Sequence, residues 1–256
     1  MFNRAVNITA SRLGVLALVF SATACSASER KTDTPVVSNP QAHLVAFLPM
    51  QEGYGPTDHD AYETTIAPIA ADHGMGRVAA YSVSKYLKGA GPTKASTVGV
   101  WALASPQSMG AVMSDSRYQA NMEHRDRIHD MPQAAMYMTT EEFSGEAPAA
   151  DEVVLVGMLT MNEGYDFDDH HAYEVSISEI TERHGMRLFK EYRVIDALSP
   201  GAPQVAAINF WALSSTEALG AVMRDPQYAT HIEYRDQIHD METTTMYFVA
   251  PREPGA

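Results

Sequence analysis

The sequence predicts an α+β chain made of two tandem βαββαβ units, and three observations predict it. The chain repeats itself: Met50-Gln-Glu-Gly-Tyr54 returns as Met161-Asn-Glu-Gly-Tyr165, and Trp101-Ala-Leu103 returns as Trp211-Ala-Leu213. Over 50–75 against 161–186, 14 of 26 positions are identical; over 101–131 against 211–241, 17 of 31 are. Agreement of that density reads as a duplication, with one residue lost from the middle of the second copy. Within each copy, runs alternating at period two are interleaved with runs spaced by three and four. Finally, Cys25 is the only cysteine among 256 residues, of which 45% are hydrophobic. The folded part therefore has no disulfide and must be held by apolar burial.

The elements follow in order. Residues 1–24 read as a signal peptide. Arg4 and Arg12 are the only charges before Cys25, and Leu13 to Phe20 is an apolar run far too short to span a bilayer. Ser21-Ala-Thr-Ala-Cys25 resembles a bacterial lipoprotein cleavage site, although Ala22 stands where leucine is usual. Cys25 is thus the expected lipidation site, and an ordinary signal peptide cut nearby is the alternative. The polar, proline-containing stretch 25–42 reads as a flexible tether. The expected place is the cell envelope, facing the periplasm. Ser26 directly after the cysteine, in place of a retention-type aspartate, favours the outer membrane.

Repeat one spans 43–140. Leu44 to Pro49 is a strand. Asp58 to His73 is a helix stopped by Gly74, with Pro68 expected to kink or shorten it. Val78 to Tyr86 and Ser96 to Leu103 are strands joined by Lys-Gly-Ala-Gly-Pro, a turn cluster. Ser105 starts a second helix that continues, with a break near Asp115, to Asp130. Gln133 to Thr139 is the last strand. Residues 141–151, with Gly, Pro and acids, read as a linker. Repeat two spans 152–250 in the same order.

The formal net charge is −14, and −16 once Arg4 and Arg12 are removed with the leader. A chain this acidic repels phosphate backbones, so no nucleic-acid partner is expected.

Trp101-Ala-Leu-Ala-Ser105 with Asp115-Ser-Arg-Tyr118, and Trp211-Ala-Leu-Ser-Ser215 with Asp225-Pro-Gln-Tyr228, set the βαββαβ order in a pattern that resembles the dimeric α/β-barrel superfamily of ferredoxin-like domains. It looks closest to an uncharacterised small-domain family within that superfamily. The resemblance covers both repeats and neither leader nor linker. It implies that two four-stranded sheets face each other, here as an intrachain pseudo-dimeric barrel, with pockets between sheet and helices. The superfamily includes cofactor-independent monooxygenases, an isomerase and haem-using peroxidases, so fold alone selects no chemistry.

Polar residues on inward helix faces carry the chemical reading. Tyr118, Met122, Arg125 and His129 are spaced to fall in one arc, as are Tyr228, Ile232, Arg235 and His239. On the first helix of each copy His59, Tyr62, Ile66 and His73 correspond to His170, Tyr173, Ile177 and His184. As a catalytic set, His129 and His239 would move protons while Arg125 and Arg235 hold a carboxylate or enolate. Tyr62, Tyr173, Tyr118, Tyr228, His73 and His184 would contact a small-molecule ligand. The alternative is purely structural: Arg125 paired to Glu63 or Asp130, and the histidines bonded to backbone. A metal reading uses His59 with Glu63 and His170 with Glu174, each pair at i, i+4. Recurrent methionines, Met50 to Met136 and Met161 to Met246, suit copper or simply fill a core. Haem is implied only by the superfamily, through His129, His239 or another inward histidine. Trp101 and Trp211 read as sheet packing, and His171 of copy two as exposed. The leading expectation is an exported lipoprotein with one small-molecule pocket per repeat, acting by acid–base chemistry on a hydrophobic or aromatic compound. A metal- or haem-binding envelope protein and a non-catalytic interaction module are the alternatives.

Overall fold

The computed structural model describes residues 37–252; Cys25, the leader and most of the tether lie outside them. Eight antiparallel strands close into a barrel: β1 (Ala42–Pro49), β2 (Met75–Lys88), β3 (Ala95–Leu103), β4 (Ala135–Ser144), β5 (Val153–Leu159), β6 (Met186–Ala197), β7 (Ala207–Leu213) and β8 (Thr245–Pro251). The order around the barrel is β1-β3-β2-β8-β5-β7-β6-β4, returning to β1. Each half contributes four neighbouring strands. Two seams join the halves, β2 with β8 (Lys88 opposite Met246) and β4 with β6 (Ser144 opposite Lys190). Every strand edge is thereby paired, which removes the open edges that either half alone would expose.

Alternation along the strands explains the two layers of packing. Val45 and Phe47 of β1, Val98 and Val100 of β3, Val154, Val156 and Met158 of β5, and Ile208 and Phe210 of β7 point into the barrel and fill it. Phe47 stacks on Tyr247 across the interior at 5.5 Å between ring centres. The intervening residues, Leu44, Trp101 and Leu103 in one half and Leu155, Trp211 and Leu213 in the other, face outward. There they are covered by helices α1 (Pro56–Asp72) and α5 (Phe167–Arg183) and by two sets of short helices.

Three sequence expectations change. Pro68 does not shorten its helix: α1 and α5 both run 17 residues. Pro68 lies on the solvent side, as does Thr64, whose carbonyl loses its helical donor and is left to water. The expected second helix is three short ones in each half: α2 (Ser108–Ser114), α3 (Ser116–Ala120) and α4 (Met122–Ile128), then α6 (Glu217–Met223), α7 (Pro226–Ala229) and α8 (Ile232–Ile238). Asp115 and Asp225 make the break, each turning its carboxylate back to cap the helix that follows. Last, β4 runs on to Ser144, into the stretch read as linker. Glu141 and Phe143 pair with Tyr192 and Glu191 of β6, so a segment with no apolar alternation is a strand because its ladder partner lies in the other half.

Candidate functional site

The pockets lie where the outward sheet face meets the helices, one per half. In the second half the cavity has a volume of about 380 Å³, and in the first about 90 Å³. Equivalent residues form both: Trp211, Tyr173, Tyr228, Arg235 and His239 in the larger, and Trp101, Tyr62, Tyr118, Arg125 and His129 in the smaller. The two tryptophans thus line cavities, and so do Met75, Met131 and Met136 in one half and Met186, Met241 and Met246 in the other.

His129 and His239 are placed by the chain leaving α4 and α8. The Asp130 and Asp240 amides bond back to the carbonyls of Pro49 and Thr160, at 3.0 and 2.9 Å, which ties each histidine to the end of the first strand of its half. Both rings are buried. In each, Nδ1 lies 3.1 Å from the carbonyl of Arg125 or Arg235. A carbonyl only accepts, so Nδ1 carries the proton and Nε2 must accept. The donor is Nδ1 of His59, at 2.9 Å, or of His170, at 2.8 Å. Burial, reinforced by the neighbouring His59, pushes His129 down to about 4. Burial and His170 push His239 down to about 3. The two residues expected to exchange protons with a ligand therefore have both ring nitrogens committed to the protein.

Beyond the histidine pair the halves diverge. In the first, His59 Nε2 faces Glu63 at 3.3 Å, and Arg77 of β2 ion-pairs with the same carboxylate. Burial alone would raise Glu63, but the bonds from His59 and Arg77 outweigh it and hold the carboxyl below its ordinary value. In the second half Leu188 stands where Arg77 does, and two polar residues appear that the first lacks: Glu191 in place of Ala80, and Asn209 in place of Gly99. His170 Nε2 lies 3.4 Å from Glu191 and 3.7 Å from Glu174, and Asn209 Nδ2 donates to Glu174 at 3.1 Å. Glu191 bonds onward to His171 at 2.7 Å, whose side chain is 48% exposed. A chain of polar groups thus runs from solvent at His171 through Glu191 and His170 to Glu174 at the cavity wall. Two carboxylates share one buried histidine there. The nearby His170 and the hydrogen bond to His171 hold Glu191 down against burial. Glu174 is pushed up to about 7, by burial first and by the charge of Glu191 as well. Its Oε2 has no hydrogen-bond partner.

The remaining expected site residues divide. Tyr173 bonds Tyr228 at 2.9 Å, and Arg235 reaches the Tyr228 hydroxyl at 3.4 Å, giving a polar strip along the larger cavity. In the smaller one Arg125 reaches Tyr118 at 3.4 Å while the Tyr62 hydroxyl is unpartnered. Arg125 pairs with Asp126, not with Glu63 or Asp130 as the structural alternative had it, because Arg77 already holds Glu63. His73 and His184 line neither cavity. Each caps the end of its helix and bonds the Asp115 or Asp225 that breaks the next helical stretch, at 2.9 and 2.7 Å. The sequence reading does not include Glu191 and Asn209; their signal is that they are among the strand positions where the copies disagree in polarity, Ala80 against Glu191 and Gly99 against Asn209.

Neither metal nor haem fits these arrangements. His59, Asp60 and Glu63 bring ligand atoms within 4.8 Å of one another, but the guanidinium groups of Arg77 and Arg252 already neutralise those carboxylates. In the second half the Asn209 amide nitrogen lies 3.0 Å in front of His170 Nε2, where an ion would have to sit. For haem, neither His129 nor His239 has a nitrogen lone pair turned to its cavity, and no other histidine lines either one.

No family profile matches the sequence, and no curated protein does. Solved structures do match. An anthrone oxidase-like protein aligns over 84% of this chain and 93% of its own, at 11% identity and a TM-score of 0.52. A proposed monooxygenase from Fusobacterium nucleatum aligns over 83% and 92%, at 7% identity and a TM-score of 0.50. At these identities the likeness is one of fold: an eight-stranded antiparallel barrel with outer helices, as in dimeric α/β-barrel proteins.

Proposed function

We propose that the second half of this chain carries a small-molecule site that works by proton transfer on an aromatic or otherwise apolar compound. The observation that carries the reading is the cavity of about 380 Å³ with Glu174 in its wall, a buried carboxyl that titrates near neutrality with one oxygen free. A general base is most effective when its pKa lies near the working pH. Glu174 takes a proton from an acidic hydroxyl, or from a carbon beside a carbonyl. Arg235 and Tyr228 stabilise the resulting anion, and Trp211 with Leu155, Ile177 and Val222 encloses the apolar body. His170, Glu191 and His171 return the proton to water. His239 is a positioning residue: it fixes the His170 ring and leaves only Nε2 to turn over. The neighbours named for anthrone oxidation and monooxygenation support an aromatic ligand, since anthrone is an enolisable aromatic ketone.

On this reading the first half is a structural counterpart. Its cavity is small and its Glu63 is locked by Arg77. Each half is a ferredoxin-like unit, and the duplication places in one chain the pair of sheets that dimeric relatives assemble from two. The protein is exported and anchored through lipid on Cys25, most naturally at the outer membrane facing the periplasm.

The test is calorimetric titration with 2-naphthol near pH 7 in two buffers of different ionisation enthalpy. One molecule bound per chain with proton exchange, and loss of the exchange in Glu174→Gln, is expected. Absence of binding, or binding that survives filling the cavity with Ile177→Trp, overturns the reading.

A further inference from the structure

The larger cavity is completed by a residue from the other half of the chain. Lys88 ends β2, crosses the β2–β8 seam opposite Met246, and lines the cavity beside Arg235. Its Nζ donates to the Met241 carbonyl, and among the described residues it forms no ion pair. An ammonium has three donors, so two remain uncommitted by protein side chains. The first half has no equivalent, since Ser199 takes the matching position and is absent from the smaller cavity's wall. Lys88 and Arg235 are the only lysine or arginine on the wall; burial first, and then the charge of Arg235, lower Lys88, against the opposing pull of Asp236 and Asp240, which stand off the wall. Arg235 has Asp236 as a partner at 2.6 Å; Lys88 has none. The opposing acid, Glu174, is pushed up to about 7 by burial, so near neutrality it carries only part of a full negative charge.

We propose that the ligand of this site is a small aromatic or alicyclic anion, a carboxylate or a stabilised oxyanion, whose charge is held between Arg235 and Lys88, the latter supplied across the seam by the first half. This rests on reading the cavity as a binding site and adds the ligand's charge and the role of Lys88. Two like charges facing one partly dehydrated space repel each other, and a bridging anion turns that repulsion into two charge-assisted hydrogen bonds. The apolar walls require the rest of the ligand to be hydrocarbon. A dication or a sugar finds no matching surface.

The experiment compares three naphthalenes by calorimetry against the whole mature chain: 2-naphthoate, 2-naphthalenemethanol and 2-naphthylmethylamine. The carboxylate is expected to bind at least about tenfold tighter than the alcohol, and the amine more weakly than either. Lys88→Met should cost the carboxylate about tenfold while leaving the alcohol within about twofold, and Lys88→Arg should restore most of the loss. Alcohol binding serves as the control for folding. Equal affinity for carboxylate and alcohol, or a carboxylate indifferent to Lys88→Met, overturns this inference and leaves the cavity reading standing. Failure of all three to bind removes the cavity reading and this inference with it.

Discussion

His239 Nε2 stands 2.8 Å from His170 Nδ1, and the other nitrogen of His239 is spent on the Arg235 carbonyl. The same arrangement joins His129 to His59. Two histidines in each half therefore share one proton between rings, with the backbone deciding which ring owns which nitrogen's hydrogen. The pair is a rigid link between the end of the short-helix segment and the long helix.

That link should make the protein acid-labile. His129 and His239 fall from the ordinary 6.5 to about 4 and about 3 in the folded state. The unfolded chain binds those protons first, so stability present above about pH 6.5 drains away as pH falls through these depressed values. The loss is on the order of several kcal/mol. Thermal melts between pH 7 and pH 4 should show a steep fall, and the double variant His129→Gln/His239→Gln, though less stable at pH 7, should show a shallower one. A parallel slope would assign the acid sensitivity elsewhere.

Glu174 works in the opposite direction. Its folded value, about 7, lies above the usual 4.5. Its contribution is complete below the unfolded value and is lost as pH rises through about 7, amounting to roughly 3 kcal/mol. Chemical denaturation of Glu174→Gln should show that this decline between about pH 4.5 and 7 has gone. An unchanged profile would mean that Glu174 stays ionised in the fold.

Arg77 and Glu63 form a buried pair that can be taken apart by a double-mutant cycle. Arg77→Met leaves Glu63 without its main counter-charge and should cost about 3–5 kcal/mol. Arg77→Met with Glu63→Gln should recover a large part of that, because no bare charge remains. Additive losses in urea denaturation would show that the two side chains are not coupled.

Gly89 closes the β2–β3 turn at φ +112°, and a Cβ there would stand 2.3 Å from the Thr245 backbone of β8. Gly89→Ala should destabilise by at least about 2 kcal/mol, since both the backbone conformation and the seam are disturbed. Gly53→Ala, at φ +88° with open space around it, should cost less. Melting temperatures of the two variants give the comparison directly.

Lipidation through Cys25 predicts that the protein sediments with membranes and is released by detergent. Cys25→Ala should move it to the soluble periplasmic fraction. Persistence at the membrane would point to another anchor.

The βαββαβ order of elements and the long helices were legible in the sequence, because period-two and three-four patterns report which face is buried; cavities between sheet and helices were implied by the superfamily resemblance. Tyr228, Ile232, Arg235 and His239 were legible as one inward arc even though two short helices and the residue that ends the second, not one helix, carry them. What stayed hidden depended on distance along the chain. Phe143 reads as linker until β6 is beside it. His73 reads as an inward residue until Asp115 is found at the end of its helix. Arg77 gives no local sign that it neutralises Glu63. Glu191, on a strand at a register shift, points to the helix side only because a bulge next to Lys190 changes the alternation.

The seams described above have a consequence for how such a site can diversify. When two identical subunits form a barrel, every substitution appears twice, and a lysine reaching across one seam must also reach across the other. Here position 88 is lysine and its counterpart 199 is serine, Arg77 corresponds to Leu188, and Gly99 to Asn209. A single chain lets one half harden into scaffold while the other keeps a loosely balanced charge and an open volume, a division of labour closed to a symmetric assembly.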